Sequence, residues 1–251
     1  MHKRRTMAML IASSVLALQG VLSVSGAEGA AGAAPQPGGA GAPKLGDMKV
    51  GRILFLGNSI TLHGPSTAVS WDGNWGMAAS AAEKDYVHLV SKGIAAAAGS
   101  APEVMAENIA TFERQYGTFD VGAALKKPLD FKADVLVLCI GENVAALKTA
   151  EAQTEFRTRL TALLNAFKES SQPRLFVRSC FWPDPVKDGI LKAVCAELGG
   201  TYVDISALSK DEHNYARSER SFKHAGVANH PGDQGMQAIA DAILKAMTGT
   251  K

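Results

Sequence analysis

Residues 52–61 read RILFLGNSIT, an apolar run followed directly by Gly57, Asn58 and Ser59. A short, continuous apolar run is typical of a strand that is buried on both faces of a parallel sheet. Four later runs have the same character, at residues 103–106, 135–140, 175–177 and 202–205. These runs predict five buried strands.

Longer segments with apolar residues at helical spacing lie between or after these runs, at residues 85–98, 151–169, 185–198 and 233–247. Strands that alternate with helices predict a parallel sheet covered by helices on both faces. We therefore expect an α/β fold, a three-layer α/β/α sandwich with a central parallel sheet of about five strands. Ligands bind at the carboxyl ends of the strands in such sheets, so Ser59 should lie at that edge.

Residues 1–27 have the pattern of a signal peptide, with a basic start, an apolar stretch and small residues at 25–27. A retained membrane anchor is the alternative, but the polar residues within the stretch favour cleavage. Residues 28–47 are rich in Ala, Gly and Pro and predict a flexible linker, which leaves 48–251 as the folded domain. We expect a secreted or periplasmic protein with no stable membrane span after removal of the signal.

The charge balance argues against nucleic acid or anionic lipid as a partner. The chain has 26 basic and 24 acidic residues, and loss of Lys3, Arg4 and Arg5 with the signal would change the net charge from +2 to about −1. No His and Cys residues have metal-ligand spacing, so no metal or other cofactor is expected. A disulfide between Cys180 and Cys195 would be possible in an oxidising compartment, but the sequence leaves it open.

Polar residues at the ends of predicted elements form a candidate site for ester cleavage. Ser59 follows the first strand, where a nucleophilic hydroxyl and nearby N–H groups could face a substrate. Asn143 follows the third strand and could donate its amide to an oxyanion. His230 precedes the last helix in a tight Pro-Gly loop and could be the base. Each alone has a plainer interpretation, as a helix cap, a polar turn and a surface histidine.

The joint order of these residues resembles the SGNH (GDSL-like) hydrolase superfamily. Its members have a GDS-like block after strand one, a Gly-containing second block, a GxN block after strand three and a His block before the last helix. Here Gly57-Asn58-Ser59, Gly141-Glu142-Asn143 and His230-Pro231 match the first, third and last. The resemblance implies a flavodoxin-like fold and an esterase with Ser59 as nucleophile and His230 as base. It also implies an oxyanion hole formed by Ser59, Glu113 and Asn143.

Two positions depart from the family pattern. The family usually has Asp three residues before the His, where this chain has Val227, and a Gly N–H donor in the second block, where it has Glu113. The missing Asp matters more, because that carboxylate normally orients the imidazole. Glu142, Glu113 or Asp204 could replace it, as could a backbone carbonyl or water. We predict that neither Glu contacts His230 and that the pKa of its imidazole stays near the ordinary ~6.5.

Residues 62–84 form a long Gly-rich segment after the nucleophile and are expected to contribute to the substrate pocket. Anchoring of this segment in the core is the alternative role for its tryptophans. The candidate substrate-binding residues are Asn58, His63, Trp71, Trp75, Arg114, Glu142 and Trp182.

We expect hydrolysis of small acyl esters, acetyl in particular, on a carbohydrate or polysaccharide, through an acyl-enzyme. The alternatives are a lipase or thioesterase of the same family, and a non-catalytic glycan-binding protein on a degenerate scaffold.

Overall fold

The computed structural model describes residues 43–249, and the predicted signal peptide lies outside them. Its centre is a parallel five-stranded sheet. All five predicted strands are confirmed, with small shifts at their ends. They are β3 (Arg52–Gly57), β4 (Glu103–Asn108), β5 (Val135–Cys139), β6 (Arg174–Arg178) and β7 (Thr201–Val203). Their order across the sheet is β4-β3-β5-β6-β7.

The four predicted helices are confirmed, and they cover both faces of the sheet. They are α1 (Tyr86–Ala98), α5 (Ala150–Ser171), α6 (Pro185–Glu197) and α9 (Asp233–Thr248). Leu54 and Leu56 of β3 pack in one buried cluster with residues of α5 and α6. Ile53 and Phe55 pack in another with residues of α1 and α9. Because alternate residues of β3 enter different clusters, both faces of the strand are buried, as its continuous apolar sequence requires. The predicted three-layer α/β/α sandwich is confirmed.

Several short elements were not predicted. An antiparallel hairpin of β1 (Lys44–Leu45) and β2 (Met48–Lys49) precedes the sheet, so the last residues of the predicted linker belong to a hairpin. Single-turn or two-turn helices occupy the connections between longer elements. They are α2 (Ala110–Gln115), α3 (Val121–Ala124), α4 (Lys126–Asp130), α7 (Ala216–Glu219) and α8 (Ala225–Ala228). These helices are too short to show a periodic apolar pattern, so the sequence contains little indication of them.

The N-cap of α9 is Gly232, which has no side chain to accept the first N–H groups of the helix. The Asp233 carboxylate, in the first turn, accepts hydrogen bonds from the backbone and hydroxyl of Ser80. Glu219 accepts the N–H groups of Asp233 and Gln234, so a carboxylate from α7 satisfies the first turn of α9. These contacts fix the loop that carries His230.

Cys139, Cys180 and Cys195 are buried and unpaired, so the structure contains no Cys180–Cys195 disulfide. Within residues 43–249 no helix is both long and apolar enough to cross a membrane.

Candidate active site

Ser59 lies just beyond the carboxyl end of β3, in a turn that depends on Gly57. A Cβ at position 57 would overlap the Thr61 side chain, so only glycine allows the chain to fold back here. The N–H groups of Thr61 and Leu62 both donate to the Asn58 carbonyl at 3.0 Å, which closes the turn. The Ser59 N–H has no acceptor within the described part of the chain and remains able to bind an oxyanion.

His230 contacts Ser59 directly, with 2.8 Å between Nε2 and Oγ. On the other side of the ring, Nδ1 lies 2.7 Å from the Gly226 carbonyl oxygen. A carbonyl can only accept, so Nδ1 carries the proton and Nε2 presents its lone pair to the Ser59 hydroxyl. This tautomer is the one that a general base needs.

The group that accepts from His230 Nδ1 is therefore a backbone carbonyl, which was one of the alternatives to the missing Asp. Val227, at the position where the family has Asp, is buried against Trp71, Met77 and Ala216. Gly226 belongs to α8, whose first turn is capped by His224. The prediction that neither Glu142 nor Glu113 contacts His230 is confirmed, and Asp204 bonds Ser206 instead.

The pKa of His230 is lower than its ordinary value, mainly because burial disfavours the imidazolium. The Gly226 bond and the charge of Glu142 act in the opposite direction but do not cancel it. The expectation of an unshifted pKa is wrong, because it considered only the partner of Nδ1. The Trp182 ring contributes to this enclosure, edge-to-face with His230 at 5.6 Å between centroids. Trp182 thus lies beside His230 without lining the cavity, and its role in substrate binding stays a prediction.

Asn143 is held by charged groups from two consecutive residues. Glu113 accepts its backbone N–H at 3.1 Å and its Nδ2 at 2.8 Å. Arg114 donates through Nη2 to its Oδ1 at 2.9 Å. Because an acid lies on the nitrogen side of the amide and a cation on the oxygen side, the amide has one favourable orientation. Its second Nδ2 hydrogen has no acceptor in the described structure, and Asn143 lines the same cavity as Ser59.

Glu113 acts through its side chain, and the prediction that its backbone N–H faces the oxyanion is wrong. That N–H donates to the carbonyl of Ile109, the N-cap of α2, at 3.3 Å. The carboxylate is fully buried and also accepts from Gly141 N at 2.7 Å and from Asn58 Nδ2 at 3.3 Å. Burial, and then the charge of Glu142, raise the pKa of Glu113, whereas the bonds from Asn143 and Gly141 lower it. All its partners are donors, which fits a deprotonated carboxylate.

Asn58 and Glu142 belong to a buried network, and their predicted role in substrate binding is wrong. Asn58 donates to Glu142 at 2.7 Å, and Glu142 accepts from Arg178 Nη1 and from Phe181 N, both at 2.9 Å. The side chains of Arg178 and Glu142 are 0% and 4% exposed. Sequence reasoning missed Arg178, because an arginine that ends a strand is ordinarily expected to reach solvent.

A cavity of about 470 Å³ opens above Ser59 and His230. His63 and Arg114 line it as predicted, and Asn143 joins them. Asn108, Thr111 and His224 also line it but were not predicted. His224 lies six residues before His230, and that closeness is the only sequence signal that could have identified it.

Trp71 and Trp75 do not line the cavity, so their predicted role in substrate binding is wrong and the anchoring alternative holds. Their rings pack edge-to-face at 5.6 Å. Each indole N–H is used inside the segment, Trp71 on the His63 carbonyl and Trp75 on the Ala79 carbonyl, both at 3.0 Å. They hold the 62–84 segment in shape, and His63 and Met77 reach the cavity from it. Residues 43–249 contain no group of His, Cys, Asp and Glu placed to hold a metal ion.

No protein-family model and no curated protein sequence matches this chain. Solved structures do. One is a protein assigned as a GDSL-like lipase from Bacteroides uniformis, with 12% identity and a TM-score of 0.52 over 82% of this chain and 99% of that one. A second, from Bacteroides ovatus, has 12% identity and a TM-score of 0.52 over 80% and 99%. A third is a carbohydrate esterase whose active site displays divergent catalytic and non-catalytic binding functions, with 12% identity and a TM-score of 0.50 over 80% and 65%. The chain has the SGNH/GDSL-like hydrolase fold.

Proposed function

We propose that this protein is an exported serine esterase in which Ser59 is the nucleophile and His230 the general base. The observation that carries the proposal is the contact of 2.8 Å between Ser59 Oγ and His230 Nε2 beside an open cavity. The tautomer imposed by the Gly226 carbonyl supports it, since the lone pair faces the hydroxyl. Export is proposed from the signal-like residues 1–27.

In the first half of the reaction, His230 Nε2 takes the hydroxyl proton as Ser59 Oγ attacks the ester carbonyl carbon. Negative charge develops on the carbonyl oxygen, and the Ser59 N–H and an Asn143 Nδ2 hydrogen donate to it. The tetrahedral intermediate collapses as the imidazolium returns its proton to the departing alcohol. Water then attacks the acyl-enzyme by the same steps, which release the acid and restore Ser59 and His230.

We propose a small acyl group, acetyl in particular, on a carbohydrate. The lining of the cavity supports this substrate, because polar groups such as Asn108, Thr111 and Arg114 lie beside a few apolar ones. A long fatty acyl chain would need an extended apolar groove, and Val186, on α6, is the only exposed large apolar side chain among residues 43–249. The solved carbohydrate esterase of the same fold is consistent with this choice.

A fluorophosphonate probe tests the proposal, since it reacts with a serine only where a base and an oxyanion site activate the hydroxyl. We expect one adduct, which peptide mass spectrometry should locate on Ser59. Ser59→Ala should abolish labelling, whereas Ser100→Ala, at an exposed serine after α1, should leave it unchanged. An intact, folded protein that the probe does not label would favour the non-catalytic glycan-binding alternative instead.

A further inference from the structure

The cavity above Ser59 has an uneven charge composition. Arg114 is its permanent cation, and neither Asp nor Glu lines it. Two carboxylates that bond residues of the site, Glu142 and Glu113, do not line the cavity and already have partners. Glu142 pairs with Arg178, and Glu113 accepts only N–H donors. A substrate in the cavity therefore meets a positive group with no acid beside it.

Arg114 retains most of its donors for a ligand. One bond is formed, from Nη2 to Asn143 Oδ1, and within residues 43–249 the guanidinium has no ion pair. Other arginines of the described chain, such as Arg52, Arg157 and Arg217, pair with a carboxylate. An arginine has five N–H donors in a planar fork that matches a carboxylate. The bond to Asn143 orients this fork at the cavity wall without neutralising its charge.

Other cavity groups also present donors. His224 Nδ1 accepts the Gly226 N–H at 3.1 Å, so the proton of its neutral ring is on Nε2. The Thr111 hydroxyl lines the cavity and has no partner in the described structure. The Asn108 amide is occupied at both ends, by the Leu62 carbonyl and the Ala110 N–H. His63 presents an acceptor, because its Nδ1 donates to the Gly64 carbonyl and leaves the lone pair on Nε2.

We propose that the preferred substrates are esters that carry an additional anionic group, a carboxylate in the first instance, and that Arg114 binds this group. The inference rests on the proposed esterase function and specifies its substrate class. The carboxylate could belong to the sugar, as in an acetylated uronic acid, or to the acyl group, as in a dicarboxylic half-ester. Both present the same chemistry to the guanidinium.

Two matched substrate pairs separate these sources. The first compares acetylated methyl glucuronide with acetylated methyl glucoside, and the second compares the 4-nitrophenyl half-ester of succinate with 4-nitrophenyl butyrate. We expect kcat/KM to favour the anionic member of at least one pair by about tenfold or more, since charge-assisted hydrogen bonds have that strength. The preference should weaken as salt is added.

Variants at position 114 assign the preference. Arg114→Gln should remove it, and Arg114→Lys should keep part of it. Arg159→Gln, at an exposed arginine of α5 that has no ion pair with another described residue, should leave it intact. Because Arg114 also orients Asn143, its loss should slow both members of a pair. The ratio between them therefore isolates the ligand charge from the positioning effect. Melting temperatures of the variants verify that each is folded.

The outcomes are distinguishable. Ser59 labelling together with hydrolysis of neutral esters, but no anionic preference in either pair, would overturn this inference and leave the esterase proposal standing. An anionic preference that survives Arg114→Gln would also overturn it. Absence of both labelling and turnover with every ester would overturn the esterase proposal, and this inference with it.

Discussion

The two sides of Ser59 are supported in different ways. On one side, His230 is oriented by an uncharged backbone carbonyl, and the position that is usually acidic is the buried Val227. On the other, Asn143 is held between the Glu113 carboxylate and the Arg114 guanidinium. In a Ser-His-Asp triad the carboxylate supports the base, whereas here the carboxylate in this part of the site supports the amide. The charged side chains of this site therefore support the amide of Asn143, and the hydrogen-bond partner of the histidine ring is uncharged.

The greatest loss of activity should follow changes at Ser59 and His230, which we expect to act as one unit. Ser59→Ala or His230→Ala should each lower kcat for 4-nitrophenyl acetate by about 10⁶, as loss of a nucleophile or its base does elsewhere. The double variant should lose no more than either single one, because the remaining partner has nothing to act on. Additive losses, or a Ser59→Ala protein near full activity, would contradict the assignment. Circular dichroism serves as the control for folding.

The next effect concerns the oxyanion side. Asn143→Ala should lower kcat by about 10²–10³ and change KM little, since its amide donates to charge that develops only in the transition state. Steady-state kinetics with 4-nitrophenyl acetate measure both constants. A change in KM alone would assign Asn143 to substrate binding and contradict its role as an oxyanion donor.

A smaller effect is expected for Glu113→Gln, which tests whether this carboxylate acts through Asn143. A glutamine has one acceptor oxygen, so it cannot accept both Asn143 N–H groups on separate oxygens as the carboxylate does. We expect a loss of about 10–100-fold in kcat. In the Asn143→Ala background the same change should have almost no further effect on kcat, as a double-mutant cycle would reveal. Equal losses in both backgrounds would mean that Glu113 acts independently of the amide.

The smallest effect is a displacement of the pH profile. Only the neutral imidazole can accept the Ser59 proton, so activity declines as His230 becomes protonated. Its pKa is lowered by burial, and the neutral form therefore persists to lower pH than for an exposed histidine. The acid limb of kcat/KM should lie below ~6.5. Asn143→Ala should leave this limb in place, and a limb at or above that value would contradict the lowering of the His230 pKa by burial.

The sequence was sufficient to predict the sheet and its covering helices, because burial on both faces leaves a direct pattern. Residues 53–56, for example, are continuous, apolar and buried. It was not sufficient for α2 or α8, which are shorter than two full turns and have no periodic face. Their positions matter nonetheless, since α2 carries Glu113 and Arg114 and α8 supplies the Gly226 carbonyl.

The residues of the motif lie together in the structure, but the partners of several neighbouring side chains could not be predicted. Ser59, Asn143 and His230 line one cavity as expected. The roles of Asn58 and Glu142 were missed, because nothing in the sequence indicates that Arg178 is buried behind them. The tryptophans were misassigned for a related reason, since their indole N–H groups bond carbonyls of their own segment. Such pairings depend on the fold as a whole and not on local composition.

The Gly226 carbonyl has one further consequence. A peptide oxygen does not titrate in the range where proteins stay folded, unlike a triad carboxylate, which acid can neutralise. Acidification thus changes nothing in the partner of His230, and only the ring itself gains a proton. Within this hydrogen-bonded pair only the imidazole can ionise, so its orientation should recover when acid is neutralised, as long as the short helix α8 keeps its carbonyl in place.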